Sequence, residues 1–391
     1  MAVRPYYVGG TWRTGARSAP VRNPFDDATV AEVGVPSDAD VEEAAATAVA
    51  TFRESRTLPV WKRAEVLDHI SRRLAETLED NARSIALEGG KPLKWARSEA
   101  ARAVSTFRWA SEEVRRGDDE VMRFDTEQAL GSRLGIVRRF PYGPILGITP
   151  FNFPLNLVAH KVAPALAVGA PIVIKPAPAT PLGSLRLAEL FDETDLPKGM
   201  LQVLPVGNEV ADGMARDARY RKISFTGSGG VGWYLKGLDP KKRITLELGG
   251  NAGVIVHGDA DLDLAARRVA FGGYYQAGQS CISVQRVLVQ EQVYEDFAAR
   301  LVKEVENLKV GDPLDPTVDV GPVIDRGNVE RIEAWVREAV AEGAQVLTGG
   351  TADGPFFRPT LLSRVDPEMK VCREEVFGPV VTISPYATFE E

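Results

Sequence analysis

The sequence predicts an α/β fold in which two parallel sheets, each covered by helices, face one another across a cleft. Three observations carry that expectation. Between about residues 145 and 250, short apolar strand-like runs (ILGITP, PIVIK, LQVLPV, KISFTGS, RITLELGG) alternate with helix-like runs, the pattern of a parallel sheet buried on both faces. From 250 onward a second alternation begins with AGVIVHG, ADLDLAARRVAFGGYYQAG, SVQRVLVQ and EQVYEDFAARLVKEVENLK. Finally, 391 residues that are 44% hydrophobic, 8% aromatic and 26% charged describe a globular chain long enough for two or three domains.

Taken in order, the chain opens with short strand-and-turn segments such as VGGTWRTG and then becomes helical. Ser37 and Asp40 stand three apart before an Ala-rich amphipathic run, which is a capping-box arrangement at a helix start. The run WKRAEVLDHISRRLAETLEDNARSIALEGG repeats its apolar positions at helical spacing, and Gly89 and Gly90 supply a stop. In RLGIVRRFPYGPILGITP, Pro and Gly separate two apolar runs, which reads as a hairpin leading into a buried strand.

Charge and cysteine usage exclude several function classes. The net charge is −7 with acidic and basic residues interspersed, so neither nucleic acid nor an anionic membrane is an expected partner. No apolar run approaches the ~20 residues of a spanning helix, and the start MAVRPYYVGGTWRTG lacks a continuous apolar segment. A cytoplasmic location is the expectation. Two cysteines make no disulfide framework, and with His69, His160 and His257 they lack metal-ligand spacing. No metal is expected.

In a parallel sheet, ligands bind beyond the carboxyl ends of the strands. Lys175 ends the run PIVIK, and TGSGGVG follows KISF and opens a helix. Its glycines (Gly227, Gly229, Gly230, Gly232) let backbone approach a ligand, and a helix N-terminus offers free N–H groups to a phosphate. The loop matches neither common phosphate-binding fingerprint, so a bland Gly-rich turn and a solvated lysine remain open readings. Together the two features suggest a nucleotide crevice.

Three further residues converge on the same cleft: Cys281 in the turn QAGQSC, Glu247 at the end of RITLELGG, and Asn152 in TPFNFP. A thiolate attacks carbonyls, an amide N–H₂ donates to the resulting oxyanion, and a carboxylate activates water. Singly, each also fits a structural role: a small packed thiol, a turn former and a strand end.

The stretches TPFNFPLNLVAHKVAPALAVGAPIVIKPAPATPL, FTGSGGVG, LELGGNA, GQSCISVQRV and EEVFGPV, in this order and at suitable separations, resemble the NAD(P)-dependent aldehyde dehydrogenase superfamily along essentially the whole chain. The resemblance implies an aldehyde dehydrogenase-like fold of two Rossmann-like domains. The NAD(P)-binding domain would occupy 1–123 and 143–249, a β-hairpin used in oligomerisation 124–142, and the catalytic domain 250–391. By the same resemblance Cys281 is the nucleophile, Asn152 and the Cys281 N–H hold the oxyanion, and Glu247 is the general base. Lys175 would bind the adenosine ribose, with Ser228 and the Gly227–Gly232 loop along the pyrophosphate. Thr149 and Pro150 would border the cofactor, Glu375 would hold the nicotinamide ribose, and Phe377 would stand beside the ring. Cys372 has no comparable motif and reads as a packed thiol.

The implied chemistry is two-stage: a thiohemiacetal on Cys281 loses hydride to NAD or NADP, and the remaining thioester is hydrolysed by water that Glu247 activates. Glu247 favours release of the acid, because coenzyme-A-acylating relatives typically lack it. A glutamate that often repels NADP in the family is replaced by Pro178, so either coenzyme is expected. The FNFPLNLVAHKVAPAL and QSCISVQRV stretches are similar to the lactaldehyde and non-phosphorylating glyceraldehyde-phosphate branch, which implies a small hydroxylated or anionic aldehyde. Homodimers or homotetramers are expected for the family. Its members continue several tens of residues beyond EEVFGPVVTISPYATFEE, so the catalytic domain is expected to be truncated at the C-terminus. Two readings follow: an aldehyde dehydrogenase, or a catalytically silent relative that binds nucleotide or partners only.

Overall fold

The computed structural model describes residues 2–117 and 119–390. Its larger sheet has seven strands in the order Arg243–Glu247, Lys222–Thr226, Ile145–Ile148, Ile172–Lys175, Leu201–Val203, Tyr6–Val8 and Thr11–Arg13. The first five run parallel, and the two N-terminal strands add an antiparallel edge. All four residues of Ile172–Lys175 are buried, because helices cover both faces of a parallel sheet and leave no solvated side for a polar residue.

The strand order reverses direction beside Ile145–Ile148. From there the chain moves to one side through Ile172–Lys175 and Leu201–Val203, then returns to the other through Lys222–Thr226 and Arg243–Glu247. Such a reversal opens a crevice where connections leave in opposite directions. The register aligns the carboxyl ends at that crevice: Ile148 lies beside Lys175 and Phe225, and Thr226 lies beside Glu247.

The second sheet orders five strands as Ala252–Val256, Val284–Gln290, Val380–Tyr386, Thr360–Ser363 and Gln345–Thr348, parallel except for the last pair. Its buried residues form apolar clusters separate from the one under the first sheet.

Local expectations hold where local chemistry decides. The helix Asp38–Ser55 starts at a complete capping box: the Ser37 N–H donates to Asp40 Oδ2 at 2.8 Å, and the Asp40 N–H donates to Ser37 Oγ at 3.3 Å. Gly90 follows the helix Leu78–Gly89 in a left-handed conformation (φ 66°).

The stretch 133–150 departs from its expected form. Its two apolar runs do not pair with each other; Leu134–Val137 pairs antiparallel with Glu120–Arg123, and Ile145–Ile148 enters the large sheet. The intervening FPYGP carries two prolines, which lack the N–H a ladder needs. Ile145–Ile148 gains parallel partners on both edges, which an isolated hairpin could not give. The hairpin expected over 124–142 thus has strands that begin four residues earlier, and its apolar residues Val121, Leu134 and Ile136 are exposed.

Candidate active site

The turn that carries Cys281 is built against backbone preference. After the helix Leu262–Tyr274, Gln276 (φ 54°, ψ 39°), Ala277 (φ 54°, ψ 35°) and Gly278 (φ 66°) all take left-handed conformations. For residues other than glycine this costs roughly 1–2 kcal/mol each, so surrounding contacts must hold it. A Cβ on Gly278 would stand 2.0 Å from the Gly378 carbonyl oxygen, so only glycine fits. The flanking glutamines supply the hold. Gln276 Nε2 donates to the Asn152 carbonyl oxygen. Gln279 Oε1 accepts from the Ile324 N–H at 2.9 Å, and its Nε2 donates to the Gln276 carbonyl oxygen at 3.3 Å. Small residues in QAGQSC therefore serve a tight, cross-braced turn that leaves the Cys281 side chain only partly covered.

Asn152 reaches this turn from the crevice of the first sheet. Its buried Nδ2 donates to the Gln279 carbonyl oxygen at 3.0 Å, two residues before Cys281, while its Oδ1 is buried without a partner. One amide hydrogen is thereby anchored and the other is left to donate elsewhere. Gly250, three residues after Glu247, closes a third side: a Cβ there would lie 3.3 Å from the Cys281 carbonyl oxygen. Segments from both sheets thus meet at the backbone of the cysteine turn.

Glu375 lies on the same side. Its Oε1 accepts from the Gly250 N–H at 3.1 Å, and a Cβ on Gly249 would fall 1.8 Å from its Oε2. Burial raises the Glu375 carboxyl above the usual range, opposed by the Gly250 N–H and the Arg331 charge. Phe377 holds φ 49° and meets Phe151 edge-on at 5.9 Å between ring centroids. Gln285 secures the arrangement from within the second sheet, donating to the Gly250 carbonyl oxygen at 2.6 Å and accepting from the Val376 N–H at 3.1 Å.

Burial raises the Cys281 thiol pKa, and the Glu375 and Glu247 charges push it the same way; the Cys281 N–H and Arg102 act in the opposite direction. Less thiolate is therefore present at neutral pH than an unperturbed thiol would give. Inactivation of the free protein by iodoacetamide is expected to accelerate with pH through an inflection above the ~8.5 of an ordinary thiol. Glu375→Gln, which removes the charge with the stronger effect of the two, is expected to move that inflection down. An unchanged inflection in Glu375→Gln would show that this charge does not reach the sulfur.

At the far end of the crevice, Lys175 is buried and its Nζ donates to Asn208 Oδ1 at 2.8 Å. Burial brings its pKa down to about 8. Thr149 is buried, and its N–H donates to the Lys175 carbonyl oxygen at 3.1 Å, with half-buried Pro150 next in the chain. Ser228 is the N-cap of the helix Gly229–Leu238 without a side-chain capping bond. The glycines of this loop divide their tasks. A Cβ on Gly229 or Gly230 would meet nothing within 4 Å, whereas one on Gly232 would lie 2.4 Å from Leu248 Cδ2 and one on Gly227 2.6 Å from the Phe225 ring. Gly227 and Gly232 permit packing, and Gly229 and Gly230 keep an uncapped helix N-terminus bare. A bare helix start and a buried strand-end lysine, at the carboxyl ends of strands either side of Ile145–Ile148, fit the diphosphate and ribose of a dinucleotide.

Sequence reasoning missed Gln276, Gln279, Gln285, Asn208 and Lys161. Lys161 is buried under the crevice, with its Nζ 2.7 Å from Thr226 Oγ1, and burial brings its pKa down to about 8. The paired glutamines around AG were the one available signal, since polar residues in a glycine turn suggest hydrogen-bonded bracing. Among the described residues no cluster of His, Cys, Asp and Glu could hold a metal ion, and no helix is long and apolar enough to cross a membrane.

With this geometry in hand, comparison with known proteins is direct. The aldehyde dehydrogenase family profile matches residues 12–391. The chain is 40% identical over 386 residues to a 3-sulfolactaldehyde dehydrogenase of Priestia aryabhattai, covering 98% of this chain and 80% of that protein. Aldehyde dehydrogenase 21 of Physcomitrella patens, solved with the reaction product succinate, superposes with a TM-score of 0.96 at 39% identity, over 99% of this chain and 81% of that one. Glyceraldehyde-3-phosphate dehydrogenase GapN of Methanocaldococcus jannaschii, solved with NADP, superposes with a TM-score of 0.92 at 37% identity, over 96% and 82%. A fold shared this closely, with the cysteine turn, the asparagine loop and the bare helix start brought to one cleft, means that the chain belongs to the aldehyde dehydrogenase family.

Proposed function

We propose that the protein oxidises a small anionic aldehyde to its carboxylic acid with NAD or NADP, through a thioester on Cys281. The observation that carries this reading is the bond from Asn152 Nδ2 to the Gln279 carbonyl oxygen, which joins the oxyanion donor to the cysteine turn.

The steps follow from the residues. The Cys281 thiolate adds to the aldehyde carbon, and the carbonyl oxygen becomes an oxyanion within reach of the free Asn152 amide hydrogen and the Cys281 N–H. Lys175, Ser228 and the bare Gly229–Gly230 backbone would hold the adenosine end of the coenzyme, with Thr149 and Pro150 bordering it. Glu375 and Phe377 would hold its nicotinamide end. The bound coenzyme supplies a hydride acceptor. Loss of hydride from the thiohemiacetal carbon leaves a thioester on Cys281. Glu247 takes a proton from water, the hydroxide adds to the thioester carbon, and the carboxylic acid departs as the thiolate re-forms.

An anionic substrate is supported from two sides. Arg102 is exposed, stands over the Phe153 ring at 5.6 Å, and carries a charge felt at both Cys281 and His160. The three relatives named above act on, or were solved with, compounds bearing a sulfonate, a carboxylate or a phosphate. Arg102→Met is expected to raise KM for succinic semialdehyde roughly tenfold or more, the worth of one charge-assisted hydrogen bond. It should leave KM for propionaldehyde nearly unchanged. Equal effects on both substrates would remove the anion from the reading. The exposed Val121, Leu134 and Ile136 of the hairpin further support a homodimer or homotetramer, and a cytoplasmic location belongs to the same reading.

A further inference from the structure

We propose that the buried ion pair Lys91–Glu99 is a positioning device for Asn152, fixing the loop 151–156 so that its free amide hydrogen faces the Cys281 sulfur; the inference rests on the reading of Asn152 as oxyanion donor. Lys91 and Glu99 are each 1% exposed, and Lys91 Nζ pairs with Glu99 Oε2. The other carboxylate oxygen, Oε1, accepts from the Leu155 N–H at 3.0 Å and the Asn156 N–H at 3.1 Å. These are backbone donors at the start of the helix Asn156–Val168, immediately after the asparagine loop. Lys91 Nζ also lies 3.9 Å from the centroid of the Phe153 ring. One ion pair therefore grips the residue that follows Asn152 by its aromatic face and the helix start beyond it by its backbone.

The same device touches the other side of the cleft. Gly90, beside Lys91, is packed so closely that its Cβ would stand 2.7 Å from Pro322 Cγ, and the Pro322 carbonyl oxygen accepts from Gln279 Nε2 at 3.5 Å. Gln279 is the residue whose carbonyl oxygen holds the Asn152 amide. The loop that carries Lys91 thus joins the donor and the nucleophile turn to one rigid frame.

Helix capping alone would not require this arrangement. Glu88 caps the helix Leu182–Asp192 in the same manner, accepting from the Leu182 N–H at 2.9 Å and the Gly183 N–H at 3.3 Å, with no ion-pair partner among the described residues. A cap needs a carboxylate; the lysine over Phe153 serves the loop. A buried ion pair is in general a poor source of net stability, so a role in specifying geometry is the stronger physical reason for its presence.

The test is the charge-free double substitution Lys91→Met/Glu99→Gln, which keeps volume and an acceptor oxygen while removing both charges. Three measurements apply: single-turnover acylation by aldehyde with coenzyme bound, KM for coenzyme, and iodoacetamide alkylation of Cys281. The expected result is an acylation rate lowered by roughly 100-fold, the scale of a misplaced group near 1 Å, with coenzyme KM and alkylation rate unchanged. Adding Asn152→Ala to that background should then cost little more, although Asn152→Ala alone is costly. Full acylation by the folded double variant, or strictly multiplicative losses with Asn152→Ala, would overturn the proposal and leave Asn152 in its role. Unimpaired acylation by Asn152→Ala alone would overturn both. Should the double variant fail to fold, Glu99→Asp retains the charges while drawing the loop back by one methylene. It is expected to lower acylation in the same pattern, and normal acylation by it would overturn the proposal.

Discussion

Cys281→Ala is expected to lower kcat/KM for aldehyde oxidation by roughly 10⁵-fold, the scale seen when a covalent nucleophile is removed from an otherwise intact site. On the proposed mechanism the loss is so large because Asn152 and the Cys281 N–H would stabilise an oxyanion that only addition of the sulfur creates. Without the sulfur there is no tetrahedral species to bind, and the remaining residues can only hold substrate and coenzyme. Binding should therefore survive: Lys175, Ser228 and the Gly229–Gly230 backbone do not contact the cysteine turn, and titration with coenzyme followed by tryptophan fluorescence should give an unchanged Kd. The measurement is reduced-coenzyme absorbance over a panel of small aldehydes, beside Cys372→Ser as a second thiol variant. Cys372 is buried near Thr382, and burial raises its pKa, so its replacement should leave activity within about twofold. Residual turnover by Cys281→Ala above about a hundredth of the parent rate would exclude a thioester mechanism.

The second large effect separates the two halves of the reaction. Glu247→Gln is expected to form the thioester at a near-normal rate and then stall, with steady-state turnover reduced by roughly 10²–10⁴-fold, the usual contribution of a general base. The predicted record is a burst of about one equivalent of reduced coenzyme per active site followed by a slow phase. Intact-protein mass spectrometry at the end of the burst should find the acyl group on the chain, and Cys281→Ala should not acquire it. The strand of Glu247 pairs residue for residue with Lys222–Thr226, the Glu247 carbonyl oxygen accepts from the Gly227 N–H at 3.0 Å, and its side chain is exposed, as the proposed base role requires. Loss of burst and steady state together would assign Glu247 to the acylation step instead.

The geometry explains why the residues that do the chemistry are few and those that hold them are many. Asn152 is restrained at its side chain by Gln279, at its carbonyl by Gln276, and through its loop by Glu99 and Lys91. The cysteine turn stores left-handed strain at Gln276 and Ala277 that would relax without those same contacts. Preorganisation of this kind lets a donor meet developing charge without moving at the moment of reaction.

How much of this was legible in the sequence depends on the range of the interaction concerned. The capping box at Ser37, the stop at Gly90, the alternation of apolar strands with helices and the glycine loop after KISF are written within a few residues, because capping, periodicity and backbone freedom act locally. Cys281, Asn152 and Glu247 were legible as candidates, through their residue types and the motifs around them. The hairpin pairing was not: which strand accepts Leu134–Val137 depends on Ile145–Ile148 finding two parallel neighbours, one of them more than seventy residues downstream. Nor could any local pattern give Glu99 its place at the start of a helix some fifty residues later, or set Gln279 on the Asn152 amide from 127 residues away. The sequence by itself determined the architecture and the candidate reacting groups, since apolar periodicity and chemical identity belong to single residues. Only the tertiary structure decided how those groups are held, since a buried polar side chain must find its hydrogen-bond partner wherever folding brings one.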